Sequence, residues 1–374
     1  MQENHRQRIK RLQQNMAEQG VDTFLILTGE DYFYFTGDVR RQPRAIIPRD
    51  GHPVLLTFAS EVEEAREATG LSEIIPYRGL HEMMQAIMAS FKGLGVEKPK
   101  VAIEMEFATP AFLMDRFKMA NPQVEVMDAK ALVSPLRRVK SAEEVALIRK
   151  AAELADLGVQ RAREVIRPGI SELDVATEVE YTLKKNGADR LGFPMFVNSG
   201  HRSLWLHGMA TRKLIEAGDL ILVDIGPVYQ GYNADICRTF SVGELSEEAR
   251  RLYSLYREMQ KVALEAARPG VALHKVEAQI EEVLKGGGYQ DYYLRGFIHG
   301  VGLSFEETPF PTIFPEDVLM PLEAGMTLAV GHPTLSVPGI GGVRVEDTVH
   351  LTQEGIEVLT SAPREEIIVV WADE

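Results

Sequence analysis

Cysteine is nearly absent from this sequence: one residue, Cys237, among 374. An intramolecular disulfide framework and any CxxC zinc or redox motif are therefore excluded. No stretch approaches the run of about 18 apolar residues that a membrane helix needs. The first residues, MQENHRQRIKRLQQ, are polar and basic, with no apolar segment behind them to act as a secretory leader. Positive charge is in deficit. Against 55 Asp+Glu stand 41 Lys+Arg, a net charge of −14, and nucleic acids and anionic membranes both call for basic patches. What remains is the expectation of a cytoplasmic globular protein, with 45% hydrophobic and 26% charged residues, the usage of ordinary folded chains. Its length suggests two domains, each large enough to bury a core.

The first third alternates helical and strand patterns. Ile9, Leu12 and Met16 fall at spacings of three and four, which predicts an amphipathic helix over 4–19. VDTFLIL (21–27), HPVLLTF (52–58) and KVAIEM (100–105) read as buried strands, with helical text between them. In that text, Ser60 and Glu63 have the spacing of a capping box. Such alternation predicts an α/β domain with a largely parallel sheet. AKALVSPLRRVKS (129–141) has little periodicity and reads as a connector, placing a domain boundary near residue 136. A long helix then begins at Ser141, with Glu144 completing a capping box. Further on, IRPGISELDVATEVEYTLKKNG (166–187) is echoed by ARPGVALHKVEAQIEEVLKGGG (267–288). The echo predicts two similar helix–helix–strand halves with a cleft where they meet, a common place for ligand sites.

The chemistry concentrates in three strand-like segments. ILVDIGPVYQGYNADICRTF (221–240) reads as a hairpin with a Gly-bearing turn. If it is symmetric about Tyr229 and Gln230, Asp224 and Asp235 lie directly opposite. Cross-strand Cβ atoms are roughly 4.5–5.5 Å apart, and like charges there repel. Two carboxylates among Leu222, Val223, Ile225 and Ile236 are unfavourable unless a cation bridges them or they share a proton. GVRVEDTVHL (342–351) sets Arg344, Glu346, Thr348 and His350 on one face of a strand. GFIHGVGLSFEETP (296–309) sets His299 among glycines, and His207 stands in RSLWLHGM. Asp, Asp, His and Glu are the mixed oxygen and nitrogen set that binds borderline divalent metals such as Mn, Co, Fe or Zn, and paired acids suit a two-metal site.

With these segments in view, the sequence resembles the pita-bread metallopeptidases: the methionine aminopeptidase, aminopeptidase P, prolidase and creatinase superfamily. The resemblance covers essentially the whole chain and is carried by VKSAEEVALIRKA (139–151), SGHRSLWLHG (199–208), VDIGPVYQGYNADICRT (223–239), IHGVG (298–302) and GMTLAVGHP (325–333) with GGVRVEDT (341–348). It implies an N-terminal creatinase/prolidase-like α/β domain over 1–136. An α+β pita-bread catalytic domain with pseudo-twofold halves would then occupy 137–374. It further implies one or two divalent ions, a homodimer, and a short peptide or small amide-like substrate. Asp224 and Asp235 match the metal-binding aspartates, His299 the metal-binding histidine and Glu346 the bridging glutamate. His207 matches the histidine that assists at the scissile bond, and Arg344 the basic residue near the substrate's far end.

Two positions depart from the peptidase pattern. The usual fourth ligand is a glutamate before a proline; here the stretch is one residue longer, and either His332 or Gly331 occupies that place. A further histidine usual after HGVG is Glu306 here. The expected activity is that of an Xaa-Pro dipeptidase or aminopeptidase using metal-activated water. His207, Glu346 and Glu306 are its expected catalytic groups, His207 and Arg344 bind substrate, and Asp224, Asp235, His299, His332 and Glu346 hold metal. A creatinase-type hydrolase or lyase acting on a small-molecule C–N bond, and a catalytically altered binding homologue, are the alternatives.

Overall fold

The computed structural model describes residues 3–40, 44–106 and 109–371, and the chain divides into two compact units, Met1–Arg137 and Arg138–Glu374. In the first unit the helix Glu3–Gln19 buries Ile9, Leu12 and Met16. Its sheet has six strands, and it is mixed rather than largely parallel. Arg44–Pro48, which the sequence pattern did not reveal, forms an antiparallel hairpin with Val54–Phe58 and pairs antiparallel with Thr23–Ile26. Three other pairings are parallel. The Ser60 capping box is not formed either. Ala59–Glu61 makes a 3₁₀ turn, and the helix Val62–Thr69 starts after Glu61 without a side-chain cap.

The expected connector is largely the helix Lys130–Arg138. Pro135 has no N–H to give the carbonyl of Ala131 four residues back. The Gln19 side-chain amide donates to that carbonyl instead, at 3.3 Å, and Asn15 donates to Leu132 O at 3.1 Å. Buried Leu132 and Val133 hold the helix down. A sequence window cannot show such rescue by a residue more than a hundred positions away.

In the second unit the helix Ala142–Val165 opens on the Ser141–Glu144 capping box and packs on Glu172–Lys185, while Glu247–Ala266 packs on Leu273–Gly287. Each pair is joined through an Arg-Pro-Gly segment, so the sequence echo corresponds to two helix pairs. Each accompanies a four-stranded sheet. One sheet contains Phe196–Ser199, Leu220–Ile225, Ile236–Val242 and Ile368–Val370; the other contains Ile298–Gly300, Thr327–Val330, Asp347–Leu351 and Ile356–Val358. Among the described residues, no helix is long and apolar enough to cross a membrane.

Candidate metal centre and active site

The hairpin register places the aspartates differently from the symmetric expectation. Leu220–Ile225 pairs with Ile236–Val242 so that Asp224 faces Cys237, not Asp235. The turn is centred one residue later than expected, on Gln230 and Gly231, with φ of 46° and 85°. Two-residue hairpin turns favour left-handed central residues, and glycine takes that conformation without strain. Asp235 consequently sits just ahead of its strand, diagonal to Asp224. Diagonal neighbours remain close enough to interact.

The second sheet brings the remaining groups. His299 lies in Ile298–Gly300 and Glu346 immediately precedes Asp347–Leu351. The segment 342–351 is not one continuous strand: Gly341–Val343 pairs with Leu335–Val337, and the chain changes sheet at Arg344–Glu346. There the two four-stranded sheets touch through a bridge between Cys237 and Glu346, with N–O distances of 3.3 and 3.1 Å. The Thr348 hydroxyl accepts from Asp235 N at 2.7 Å and donates to Asp235 O at 2.8 Å. Both carboxylates are thus fixed at their backbones.

Donor atoms of Asp235, His299 and Glu346 lie within 4.8 Å of one another. Among the described residues, Asp224 Oδ1, Asp235 Oδ1, His299 Nε2 and Glu346 Oε1 are each buried without a hydrogen-bond partner, one atom from each of four side chains. Unpaired polar atoms in a core are costly, and four together fit a shared cation. His299 is in the matching tautomer: its Nδ1 lies 3.0 Å from Gly300 O. Since a carbonyl only accepts, Nδ1 carries the proton and Nε2 presents a lone pair, the arrangement usual for metal-binding histidines. The residues therefore fit a divalent ion.

Electrostatics agree. Burial raises the Asp224 carboxyl to about 7, with Arg344 opposing and Glu346 adding to the rise. Asp235 is pushed well above the ordinary value by burial and then by Glu346 and Asp224. Burial would also raise Glu346, but the Arg344 charge beside it outweighs this and holds the carboxyl well below its usual range. The ion-free protein should lose stability as pH rises from the ordinary aspartate value of 3.8 to about 7. Over that window the folded state retains protons that the unfolded chain has released, so rising pH favours unfolding. Glu346 acts mainly below that window, its contribution being lost as pH falls from 4.5 towards its depressed folded value. A tenfold difference in proton affinity between folded and unfolded chain is worth about 1.4 kcal/mol, roughly a few degrees in a domain of this size. Melting of chelated wild type against Asp224→Asn measures this: the wild type loses several degrees relative to the variant across the window, whereas parallel curves contradict the assignment.

Of the two candidates for the fourth position, the structure turns His332 toward the cluster. Its Nδ1 is 3.6 Å from Glu346 Oε1 and its ring centroid 4.7 Å from that of His299. Gly331 has φ +116°, and a Cβ there would meet Val345 O at 1.9 Å, so that position admits no side chain. Glu306 faces His332, Oε1 to Nε2 at 3.6 Å. Arg344, placed by sequence at the substrate's far end, is 2% exposed. It donates to Asp224 Oδ2 at 2.7 Å and to Glu346 Oε2, with His332 Nδ1 at 3.1 Å. Its guanidinium is thus engaged by the carboxylates of Asp224 and Glu346 and by the His332 ring. His207 lines a cavity of about 690 Å³ together with Glu306 and His332. Burial, then the Arg344 charge, lowers its pKa, keeping the ring neutral near pH 7.

Sequence reasoning missed the residues that hold these groups. Arg238, wholly buried, donates to Asp347 Oδ1 at 2.6 Å and to Glu346 O at 2.7 Å. Glu172 is equally buried and accepts from Ser199, Arg202 and Thr211, tying together the ends of the segment that carries His207. Tyr256 Oη lies 2.6 Å from both Gly331 O and Pro333 O, on either side of His332. A charged residue inside an apolar strand, Arg238 within ICRTFSV, was the one such signal the sequence offered for Arg238.

Two carboxylate-bearing sheets meeting at a metal-competent cluster beside a substrate-sized cavity define a metallohydrolase. Residues 146–353 match the metallopeptidase family M24, and residues 8–139 match the creatinase/prolidase N-terminal domain. The chain is 35% identical over 361 residues to an Xaa-Pro dipeptidase of Pyrococcus furiosus, covering 96% of this chain and 99% of the relative. A solved Xaa-Pro dipeptidase from Bacillus anthracis superposes with a TM-score of 0.88 at 30% identity, covering 98% of this chain and 100% of that one. The prolidase of Pyrococcus horikoshii gives 0.86 at 31% identity, with coverage of 96% and 100%. The chain belongs to metallopeptidase family M24: it is a metal-dependent peptidase with the two-domain fold of the prolidases.

Proposed function

We propose that the protein hydrolyses the bond between an N-terminal residue and proline in short peptides. The observation that carries this is the set of four unpartnered, buried donor atoms of Asp224, Asp235, His299 and Glu346, neighboured by Glu306 and His332, which with His207 form part of a cavity wall. Xaa-Pro dipeptidases among the relatives support the bond type. So do Leu294, Ile298, Phe310, Pro311 and Ile313 in the cavity wall, an apolar surface suited to a pyrrolidine ring.

A divalent cation such as Mn, Co, Zn or Fe, held by Asp224, Asp235, His299 and Glu346, would supply Lewis acidity to the scissile carbonyl and lower the pKa of water so that hydroxide is available near neutral pH. Glu346, held ionised by Arg344, accepts the proton of the attacking water. His207, neutral and exposed to the cavity, donates to the oxyanion or the departing nitrogen. Arg344 holds Asp224 and Glu346 in place and offsets part of their charge, a positioning role.

The test is release of proline from Xaa-Pro dipeptides, and from longer peptides beginning Xaa-Pro, by protein stripped with chelator and reloaded with each ion. Reloaded protein should cleave Xaa-Pro and leave Xaa-Ala largely intact, and stripped protein should be inactive. Activity surviving complete chelation favours a creatinase-type reaction. No cleavage of any Xaa-Pro peptide with any of the four ions rejects the proposal.

A further inference from the structure

Two histidines and a fourth carboxylate crowd one end of the cluster. Donor atoms of His299, Glu306 and His332 lie within 4.8 Å of one another, and His299 also belongs to the group formed with Asp235 and Glu346. Both Glu306 and His332 are thus near enough to His299 to share an ion with it. Hydrogen-bond direction distinguishes them.

An arginine has only donors to offer. Arg344 Nη2 lies 3.1 Å from His332 Nδ1, so that nitrogen's lone pair is already engaged. In a neutral ring the remaining proton then sits on Nε2, the atom facing Glu306. A protonated nitrogen cannot ligate a cation. His299 has the opposite tautomer, its Nδ1 donating to a carbonyl and its Nε2 left bare. Two neighbouring buried imidazoles are therefore set to different tasks by their partners.

We infer that Glu306, not His332, completes the metal-binding set, and that His332 is a positioning residue whose Nε2–H orients the Glu306 carboxylate. This inference rests on the metallopeptidase reading above. The present separation of 3.6 Å is longer than a hydrogen bond. The Glu306 side chain, 17% exposed, has the freedom to close it. Metal-binding carboxylates are commonly held by such outer partners. On this assignment the two departures in the sequence are one reciprocal change. A carboxylate is supplied from residue 306 and an imidazole from residue 332, and the site retains four carboxylates and one ligating imidazole.

Metal titrations of the stripped full-length protein with Mn²⁺ and Co²⁺ test this, using wild type, Glu306→Gln, His332→Ala and the double exchange Glu306→His/His332→Glu. Glu306→Gln should lose one bound ion per chain or weaken it by about 100-fold or more. The visible spectrum of bound Co²⁺ should change as a ligand is lost. His332→Ala should weaken binding by about 10–100-fold, the range for outer partners, with the Co²⁺ spectrum largely kept. The double exchange should recover affinity relative to Glu306→Gln. Melting of each stripped variant separates misfolding from ligand loss, and the partly exposed Glu306 makes its variant the decisive one. Wild-type affinity, stoichiometry and spectrum in Glu306→Gln would overturn the assignment alone, as would a spectrum altered by His332→Ala but not by Glu306→Gln. Wild-type protein that takes up neither ion would overturn the metallopeptidase reading and this assignment together.

Discussion

Asp235→Asn should abolish peptide hydrolysis while leaving the ion-free fold intact or slightly firmer. The residue is 2% exposed, and its backbone is held at both N–H and C=O by Thr348, so an amide of nearly the same shape has a place prepared for it. What changes is charge. Burial together with Glu346 and Asp224 already makes the ionised Asp235 unfavourable without a cation, and neutralising it removes that repulsion. The same substitution removes one of the anionic donors that would hold the ion, and with it much of the electrostatic stabilisation of the transition state. Losing a single preorganised donor at an oxyanion commonly costs a factor of about 10²–10³. Losing the ion that activates the water should cost about 10³ or more in kcat/KM. Three measurements belong together: kcat/KM on an Xaa-Pro dipeptide, metal content after dialysis, and the melting temperature of the stripped protein. A variant that keeps its metal and its activity contradicts the site; one that loses both because its stripped form no longer folds contradicts the electrostatic account of it.

How much of this was legible in the sequence depends on the range of the forces involved. Helix starts are local, and the Ser141–Glu144 box could be read from four residues. The Ser60 box had the same spacing and failed, because a 3₁₀ turn occupies Ala59–Glu61. The chemically dense segments could also be found, because carboxylates and histidines in apolar text are costly enough to be noticed. Their mutual arrangement could not. A shift of one residue in a turn centre, from Tyr229/Gln230 to Gln230/Gly231, changes which side chain faces Asp224. Nor does sequence order show that Arg344 reaches Asp224 across 120 positions, or that His332 and Glu306 face one another.

Arg238→Met should destabilise the catalytic unit by about 3–5 kcal/mol, the usual consequence of leaving half of a buried ion pair behind. The guanidinium is wholly buried. It pairs with Asp347 at 2.6 Å and also donates to the carbonyls of Cys237, Glu346, Ala362 and Pro363. Methionine fills much of the volume but satisfies none of these acceptors. Burial by itself would raise the Asp347 carboxyl, and Arg238 with Arg364 brings it below its ordinary value. Gln260 at 2.9 Å, Thr360 at 2.7 Å and Arg364 at 3.3 Å remain, which keeps the penalty within the range for a single broken pair. Adding Asp347→Leu removes the stranded charge, so the double variant should regain part of the loss. Recovery stays incomplete because the four carbonyls still lack their donor. Urea unfolding of wild type, both single variants and the double variant measures the coupling as a cycle. Additive losses would mean that the pair is not a clamp. Because Glu346 O is one of the four acceptors and Glu346 Oε1 one of the unpartnered donors, loosening Arg238 should also weaken metal binding. That link sets this clamp apart from a buried ion pair serving stability alone.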